Sequence, residues 1–191
     1  MADSPSVGTL SSIDSREYRE VLTRFATGVT VVTTLEETDE GPQPWGTTVN
    51  SFTGISLDPP LVMVSIGQER SIHPIIERIG KFGVNILGED SQALSDCFAG
   101  APSSLPREAF CEADYSLGQT GLPVLESAIA YLCCELDRVI QAGDHTMYLG
   151  RVVETGCRNE TGWPLLYFGR RYLSIERATA PDLRGKPDSL R

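Results

Sequence analysis

Four stretches of the chain place polar side chains where they could do chemistry. The first is Gly46-Thr47-Thr48-Val49-Asn50-Ser51-Phe52-Thr53, with four hydroxyls and an amide in eight residues. In a strand alternate residues face opposite ways, so Thr47, Val49, Ser51 and Thr53 share one face and Thr48, Asn50 and Phe52 the other. Such a strand running into a turn offers backbone groups to the polar edge of a ring and hydroxyls to a phosphate. Threonine is also favoured in ordinary strands, so a plain strand explains the same composition. The second stretch is Gly143-Asp144-His145-Thr146. Gly-Asp between strand-like runs is first of all a turn. His145 on it is either a surface residue or a ring nitrogen held out on a rigid hairpin, within reach of a carboxamide. The third is Leu165-Leu166-Tyr167-Phe168-Gly169-Arg170-Arg171-Tyr172. Aromatics beside arginines suit a stacked base or a phosphate, and equally a last strand with a solvated Arg pair. The fourth is Ser65-Ile66-Gly67 followed by Glu69-Arg70-Ser71, a loop and helix start that could grip phosphate.

Much is excluded. No Gly-x-Gly occurs, no P-loop, no His-Glu-x-x-His and no Gly-x-Ser-x-Gly. His73 and His145 are the two histidines, so no metal site with three histidines from one chain is possible and no metal is expected. A net charge of −10 repels phosphate backbones, so nucleic acid is not an expected partner. Free nucleotides are repelled at long range too, and must be held by close contacts and local cations such as Arg170 and Arg171. No apolar run approaches the ~20 residues of a membrane span, and the N-terminus carries no secretory pattern. Five cysteines (Cys97, Cys111, Cys133, Cys134, Cys157) form no Cys-x-x-Cys pair. They predict reduced, mostly buried thiols in a cytoplasm, without a disulfide framework. Asn159-Glu160-Thr161 matches a glycosylation sequon by chance on this reading.

The elements that must position these residues are mostly strands. Asp14 and Glu17 form a capping-box pattern, Ile13 can staple onto Tyr18, and Tyr18, Val21, Leu22 and Phe25 make one apolar helix face that Gly28 ends. Strand-like runs follow at 29–34, 46–53, 61–66 and 82–87. Short helices are expected at 74–79 and 91–98. A long hairpin is expected over 128–153, with Ala130, Leu132, Cys134, Leu136 and Ile140 alternating along one face of its first strand. Pro164–Phe168 and Arg171–Ile175 supply the last strands. Residues 1–12 read as a flexible arm, 13–179 as one domain and 180–191 as a flexible tail. Many strands with few helices favour a mainly β fold, a closed antiparallel barrel with a few flanking helices.

Taken in order, the pieces resemble the flavin reductases of two-component flavin-dependent monooxygenases, an FMN-binding split-barrel family. Phe25-Ala26-Thr27-Gly28-Val29-Thr30-Val31-Val32-Thr33 resembles its opening strand. Gly46 to Phe52 resembles its Gly-x-Thr-x-x-Ser-Phe, and Ser56-Leu57-Asp58-Pro59-Pro60-Leu61-Val62 its Ser-x-x-Pro-Pro-Leu-Val. Phe82 to Leu87, Gly143-Asp144-His145, and Pro164 to Tyr167 with Tyr172 match its later motifs. The resemblance covers about residues 16–175, with the charged insert Glu36–Gly41 the least similar part. It implies hydride transfer from NADH (or NADPH) to FAD (or FMN), with reduced flavin passed to a partner monooxygenase, and a homodimer. It implies a flavin site of Trp45, Gly46, Thr47, Thr48, Val49, Ser51 and Phe52, backbone contacts from Ser65, Ile66 and Gly67, phosphate on Ser71, and Phe98-Ala99 over the distal end. It implies a nicotinamide nucleotide facing Tyr167, Phe168, Gly169 and Arg170, with His145 the candidate catalytic residue, orienting and not donating a proton. Two alternatives stay open: a pyridoxamine-phosphate-oxidase-like flavoprotein, which the Gly-Asp-His turn opposes, and a non-enzymatic flavin- or haem-binding module on the same barrel.

Overall fold

The computed structural model describes residues 13–105, 109–158 and 162–175. The expected arm, the expected tail and Asn159-Glu160-Thr161 lie outside the described residues. The chain opens with α1 (Ser15–Leu22), then β1 (Thr27–Gly28), β2 (Thr30–Thr38), β3 (Gly41–Val49), β4 (Thr53–Leu57) and β5 (Pro60–Gly67). It continues with α2 (His73–Ile79), β6 (Lys81–Leu87), α3 (Gln92–Ala99) and a tight turn at Ala109–Glu112. Then come β7 (Tyr115–Leu117), β8 (Pro123–Leu125), β9 (Ala128–Ala142), β10 (His145–Cys157), β11 (Leu166–Phe168) and β12 (Arg171–Leu173). The mainly β expectation is met.

The main sheet has seven strands in the order β3-β2-β6-β9-β10-β5-β4, every pair antiparallel. Its edges are β3 and β4, and no ladder joins them among the described residues, so closure is not drawn by hydrogen bonds. One apolar cluster nonetheless gathers Val32 of β2, Val62, Val64 and Ile66 of β5, Phe82 and Val84 of β6, Cys134 of β9 and Tyr148 of β10, with Trp45 of β3 against it. The sheet therefore curls around its own inner face. The opposite face of β2, through Val29 and Val31, joins a second cluster with Leu87, Phe98, Phe110 and Leu165. Buried on both faces, β2 reads as a continuous apolar and threonine run.

Several expectations are corrected. Residues 46–53 are not one strand: β3 stops at Val49, because Ser51 turns to exchange hydrogen bonds with the backbone of Ser65 on β5. The first helix ends at Leu22, with Thr23 as its C-cap, and Gly28 lies in β1. Asp14 is the N-cap as expected, its carboxylate accepting from the N–H groups of Arg16 and Glu17, but no return bond from the Glu17 side chain completes a capping box among the described residues. The last strands leave the main sheet: β11 pairs with β1, and β12 pairs with β11. Alternation along β9 fails at Cys133 and Cys134, which are both buried because separate apolar clusters cover the two faces there. Cys97 and Cys111 are joined in a disulfide, against the expectation of reduced thiols. Packing of α3 on the 109–112 turn brings them together, a proximity their spacing does not reveal. Cys133 and Cys134 are buried thiols and Cys157 is exposed.

Asn85 ties three strands at one buried point. Its amide donates to the Val31 carbonyl (3.2 Å) and to Thr33 Oγ1 (3.1 Å), and its Oδ1 accepts from the Leu125 N–H (2.9 Å). An Asn85→Leu change strands buried partners, each costing about 1–3 kcal/mol. Thermal unfolding should show Tm lowered by roughly 4–10 °C. A Tm unchanged within about 1 °C would mean these bonds are replaceable.

Candidate active site

Two neighbouring cavities, of about 330 Å³ and 350 Å³, share Asn50, Tyr167 and Arg170. Each is near the lower end of the roughly 300–1,000 Å³ typical of small-molecule sites, and the shared wall makes them lobes of one cleft. The first lobe lies between the end of β3 (Thr48, Val49), α3 (Ser95, Asp96, Ala99) and Tyr172. The second lies between α1 with its following turn (Arg19, Leu22, Thr23, Phe25) and Phe168-Gly169-Arg170.

Local structure explains these placements. Thr48 Oγ1 donates to the Ser95 carbonyl at 2.8 Å, fixing β3 to α3 and committing its proton while its lone pairs can still accept. Tyr172 Oη donates to Asp96 Oδ1 at 2.9 Å and lies 3.0 Å from Ser95 Oγ. Burial pushes the Tyr172 phenol up to about 12; the Asp96 carboxylate adds to this and the Ser95 hydrogen bond opposes it. It therefore stays protonated and keeps its bond to Asp96. Tyr167 meets Tyr172 edge to face at 5.3 Å. The β11–β12 pairing leaves Gly169-Arg170 as a two-residue turn, with φ of 58° and 63°. Both positions require the left-handed region, which glycine enters freely and arginine at a cost of about 1–2 kcal/mol. Arg170 is thus held in a strained position facing both lobes, without an ion-pair partner among the described residues. Asn50, also facing both lobes, has no hydrogen-bond partner for its side chain among the described residues.

Seven sequence-predicted residues line the cleft: Thr48, Val49, Ala99, Tyr167, Phe168, Gly169 and Arg170. Gly46 lies behind the first lobe, where a Cβ would sit 2.5 Å from the Phe98 ring, and Phe98 is buried there against Phe110. Trp45, Thr47 and Phe52 are not brought into the cleft. Trp45 and Phe52 pack on the inner core, Trp45 Nε1 donates to Glu36 at 3.0 Å, and Thr47 Oγ1 is buried without a partner. Ile66 belongs to the inner core, and Ser71 is exposed on the loop before α2. Ser51 and Ser65 bond to each other, and Gly67 lies across the ladder from His145. None of this second group lines either lobe. Arg70 Nη1 donates to the Ala99 carbonyl at 2.7 Å, tying the loop before α2 to α3. His145 Nδ1 is 2.7 Å from Asp144 Oδ1; this hydrogen bond, then the histidine charge, lowers the Asp144 carboxyl, with a smaller pull from Arg19 of α1. Sequence reasoning passed over Arg19, Ser95, Asp96 and Tyr172 as site residues, and skipped Asn50 between two residues it chose. The i, i+3 spacing of Asp96 and Ala99 on α3 is the signal that could have found the helix wall. Among the described residues no group of His, Cys, Asp and Glu converges on a metal position.

A family profile described as flavin reductase like domain matches residues 22–176. The chain belongs to this family. It is 41% identical over 162 residues to the NADH-dependent flavin reductase StyB of Pseudomonas fluorescens, covering 84% of this chain and 89% of StyB. It is 36% identical to the flavin-dependent monooxygenase reductase subunit HsaB of Rhodococcus jostii, over 86% of this chain and 80% of HsaB. Among solved structures it resembles the Streptomyces globisporus C-1027 NADH:FAD oxidoreductase SgcE6 in complex with NAD and FAD fragments. The TM-score is 0.76 at 31% identity, covering 87% of this chain and 96% of that one.

Arg170→Gly separates strain from binding. Removing the left-handed arginine should leave stability unchanged or raise it by up to about 1 kcal/mol, read by denaturant unfolding. Affinity for a phosphate-bearing nucleotide should fall about tenfold in equilibrium titration. Lost stability with unchanged nucleotide affinity would make Arg170 a structural residue.

Proposed function

We propose that the protein carries a hydride from NADH to a flavin, FAD first and FMN second, and supplies reduced flavin to a separate flavin-dependent monooxygenase. The observation that carries this reading is the pair of ligand-sized lobes sharing one wall, since the reaction brings two ring systems together. HsaB, named as a reductase subunit, supports the monooxygenase partner.

The residues present suit a flavin. Asn50 and Arg170 are polar groups without partners of their own facing the cavity, small Ala99 leaves room, and Tyr167 and Tyr172 offer flat walls. Thr48, Val49, Ser51, Ser65 and Gly67 hold the ring and its chain through backbone and hydroxyl groups, and Ser71 takes phosphate. Trp45, Gly46, Thr47, Phe52, Ile66 and Phe98 back these contacts from behind. His145 and Tyr167 to Arg170 meet the nicotinamide nucleotide. When bound, the flavin supplies the two-electron acceptor. The protein's own task is to align the two rings and keep water out, and His145 orients without giving a proton. Residues 13–179 act as one domain whose curled sheet is the split barrel of the family. The apolar face of α1 is uncovered in one chain, with Tyr18, Val21, Leu22 and Phe25 between 51% and 74% exposed. A second copy covers it. No helix among the described residues is long and apolar enough to cross a membrane. The reaction with NADH is the ground for placing the protein in the cytoplasm.

Mixing the protein with NADH and FAD should bleach the nicotinamide absorbance only when flavin is added. His145→Ala should raise KM for NADH about tenfold and leave the flavin Kd within about twofold. No oxidation with any flavin would favour the binding module, and unchanged kinetics in the variant would remove His145 from the site. A Val21→Glu, Phe25→Glu double change should convert a dimer to a monomer in light scattering; a monomeric parent protein would refute the dimer outright.

A further inference from the structure

The molecule's other histidine is part of a built network. His73, the first residue of α2, has both ring nitrogens in contact: Nε2 is 2.7 Å from the Gly67 carbonyl oxygen and Nδ1 is 2.7 Å from Tyr148 Oη. Tyr148 is fully buried in the inner core, and its hydroxyl lies 3.1 Å from Glu77 Oε1, so its single proton serves either Glu77 or His73 Nδ1 at any one time. Burial, followed by the hydrogen bond and charge of Glu77, raises the Tyr148 phenol, so it remains a donor. A carbonyl only accepts, so Nε2 of His73 carries a proton and donates to Gly67. The Arg70 N–H donates to the same oxygen at 3.1 Å, so both its lone pairs are engaged.

The other side of that peptide unit faces the Gly-Asp-His turn. The Gln68 N–H donates to the Asp144 carbonyl at 3.0 Å, and the Gln68 side chain donates to Gln141 Oε1 (3.0 Å) and to the Gly143 carbonyl (3.3 Å). A continuous chain of hydrogen bonds thus runs from Glu77 through Tyr148, His73 and the Gly67–Gln68 peptide to the residue before His145. Bonds joined through one peptide polarise each other, and a peptide held on both edges cannot rotate.

We infer that His73 is a positioning residue for the nicotinamide site: it sets the Gly143-Asp144-His145 turn through the Gly67–Gln68 peptide. The inference rests on the reading of His145 given under Proposed function. His73 touches neither lobe of the cleft, so its effect reaches the nucleotide only through the turn.

The test is steady-state kinetics with flavin titrations on the full chain. His73→Phe keeps an aromatic ring and drops both hydrogen bonds; KM for NADH should rise about fivefold with kcat within about twofold, and flavin Kd, which depends on Gly67 as one contact among several, should rise clearly less than KM. His73→Gln, which restores a donor toward Gly67, should bring KM back to within about twofold of the parent. In a His145→Ala background, His73→Phe should add nothing, because the two act in series. Tyr148→Phe removes one oxygen from a buried ring and should raise KM about two- to threefold, a check that holds if His73→Phe fails to fold. If His145→Ala raises KM while His73→Phe and Tyr148→Phe do not, the relay is overturned and the reading of His145 stands. Equal losses of NADH and flavin binding in His73→Phe overturn it as well, since the histidine would then support the end of β5 in general. If His145→Ala has no effect, both ideas fall together.

Discussion

The pairing of β10 with β9 on one side and β5 on the other is the constraint on which the molecule depends. It joins the longest strands, Ala128–Ala142 and His145–Cys157, and carries the inner core on one face. At its middle stands Gly150, where a Cβ would come within 2.5 Å of the Phe82 ring and 2.7 Å of Cys134 Cβ. The missing side chain lets Phe82 lie against the strand, and the register shifts at Leu149/Gly150 and Val152/Glu154 bend the hairpin around it. One end of the same ladder is the Gly143-Asp144 turn, with His145 opposite Gly67. The position of His145 is therefore set by the core and not by a free loop, which is the condition for a side chain to meet a ligand reproducibly.

Most of the strand order was legible because each buried strand carries its own local signal: β-branched runs for β2 and β5, and the Gly-Asp break for the hairpin. What escaped the sequence was long-range. Nothing local in Gly46–Thr53 says that Ser51 exchanges bonds with Ser65, yet that exchange ends β3 at Val49 and turns Asn50 into the cleft. The strands at 166–173 looked like barrel strands by composition, but their three-residue lengths suit pairing with the short β1 instead. The Cys97–Cys111 bridge and the Tyr172–Asp96 bond depend on where α3 packs. His73 gave no signal beyond its residue type, because its role is set by Tyr148, 75 residues away in the sequence. Of the residues the resemblance assigned to the site, Thr48, Val49 and Ala99 line the first lobe, and it could not tell them from residues turned away from it, such as Trp45 and Thr47.

The charge balance explains why the cleft uses so few cations. At −10 overall, the surface opposes an incoming nucleotide over a Debye length of about 8–10 Å. Inside that distance Arg170 faces both lobes and Arg19 stands beside the second. Arg70 is already committed to Glu69 and to the Ala99 carbonyl. Binding must then come from contact, through backbone groups and flat tyrosine walls, with Arg170 supplying the local charge.

The helix α1 links the proposed dimer to the cleft, because its exposed apolar face and its Arg19 side chain belong to the same short element. With eight residues it is far too short to be stable alone in water, and none of its side chains is buried in its own chain. Its polar side nevertheless supplies Arg19 to the second lobe, and Leu22 and Phe25 stand at the same wall. A helix that gains so little from its own chain must be held by whatever covers its apolar face. In the proposed dimer, covering that face would fix Arg19 and the α1 wall and so complete the second lobe. The first lobe needs no such help, since β3, α3 and Tyr172 are tied by hydrogen bonds within one chain. Dissociation should thus act unevenly, loosening the lobe assigned to the nicotinamide nucleotide while the flavin lobe keeps its shape.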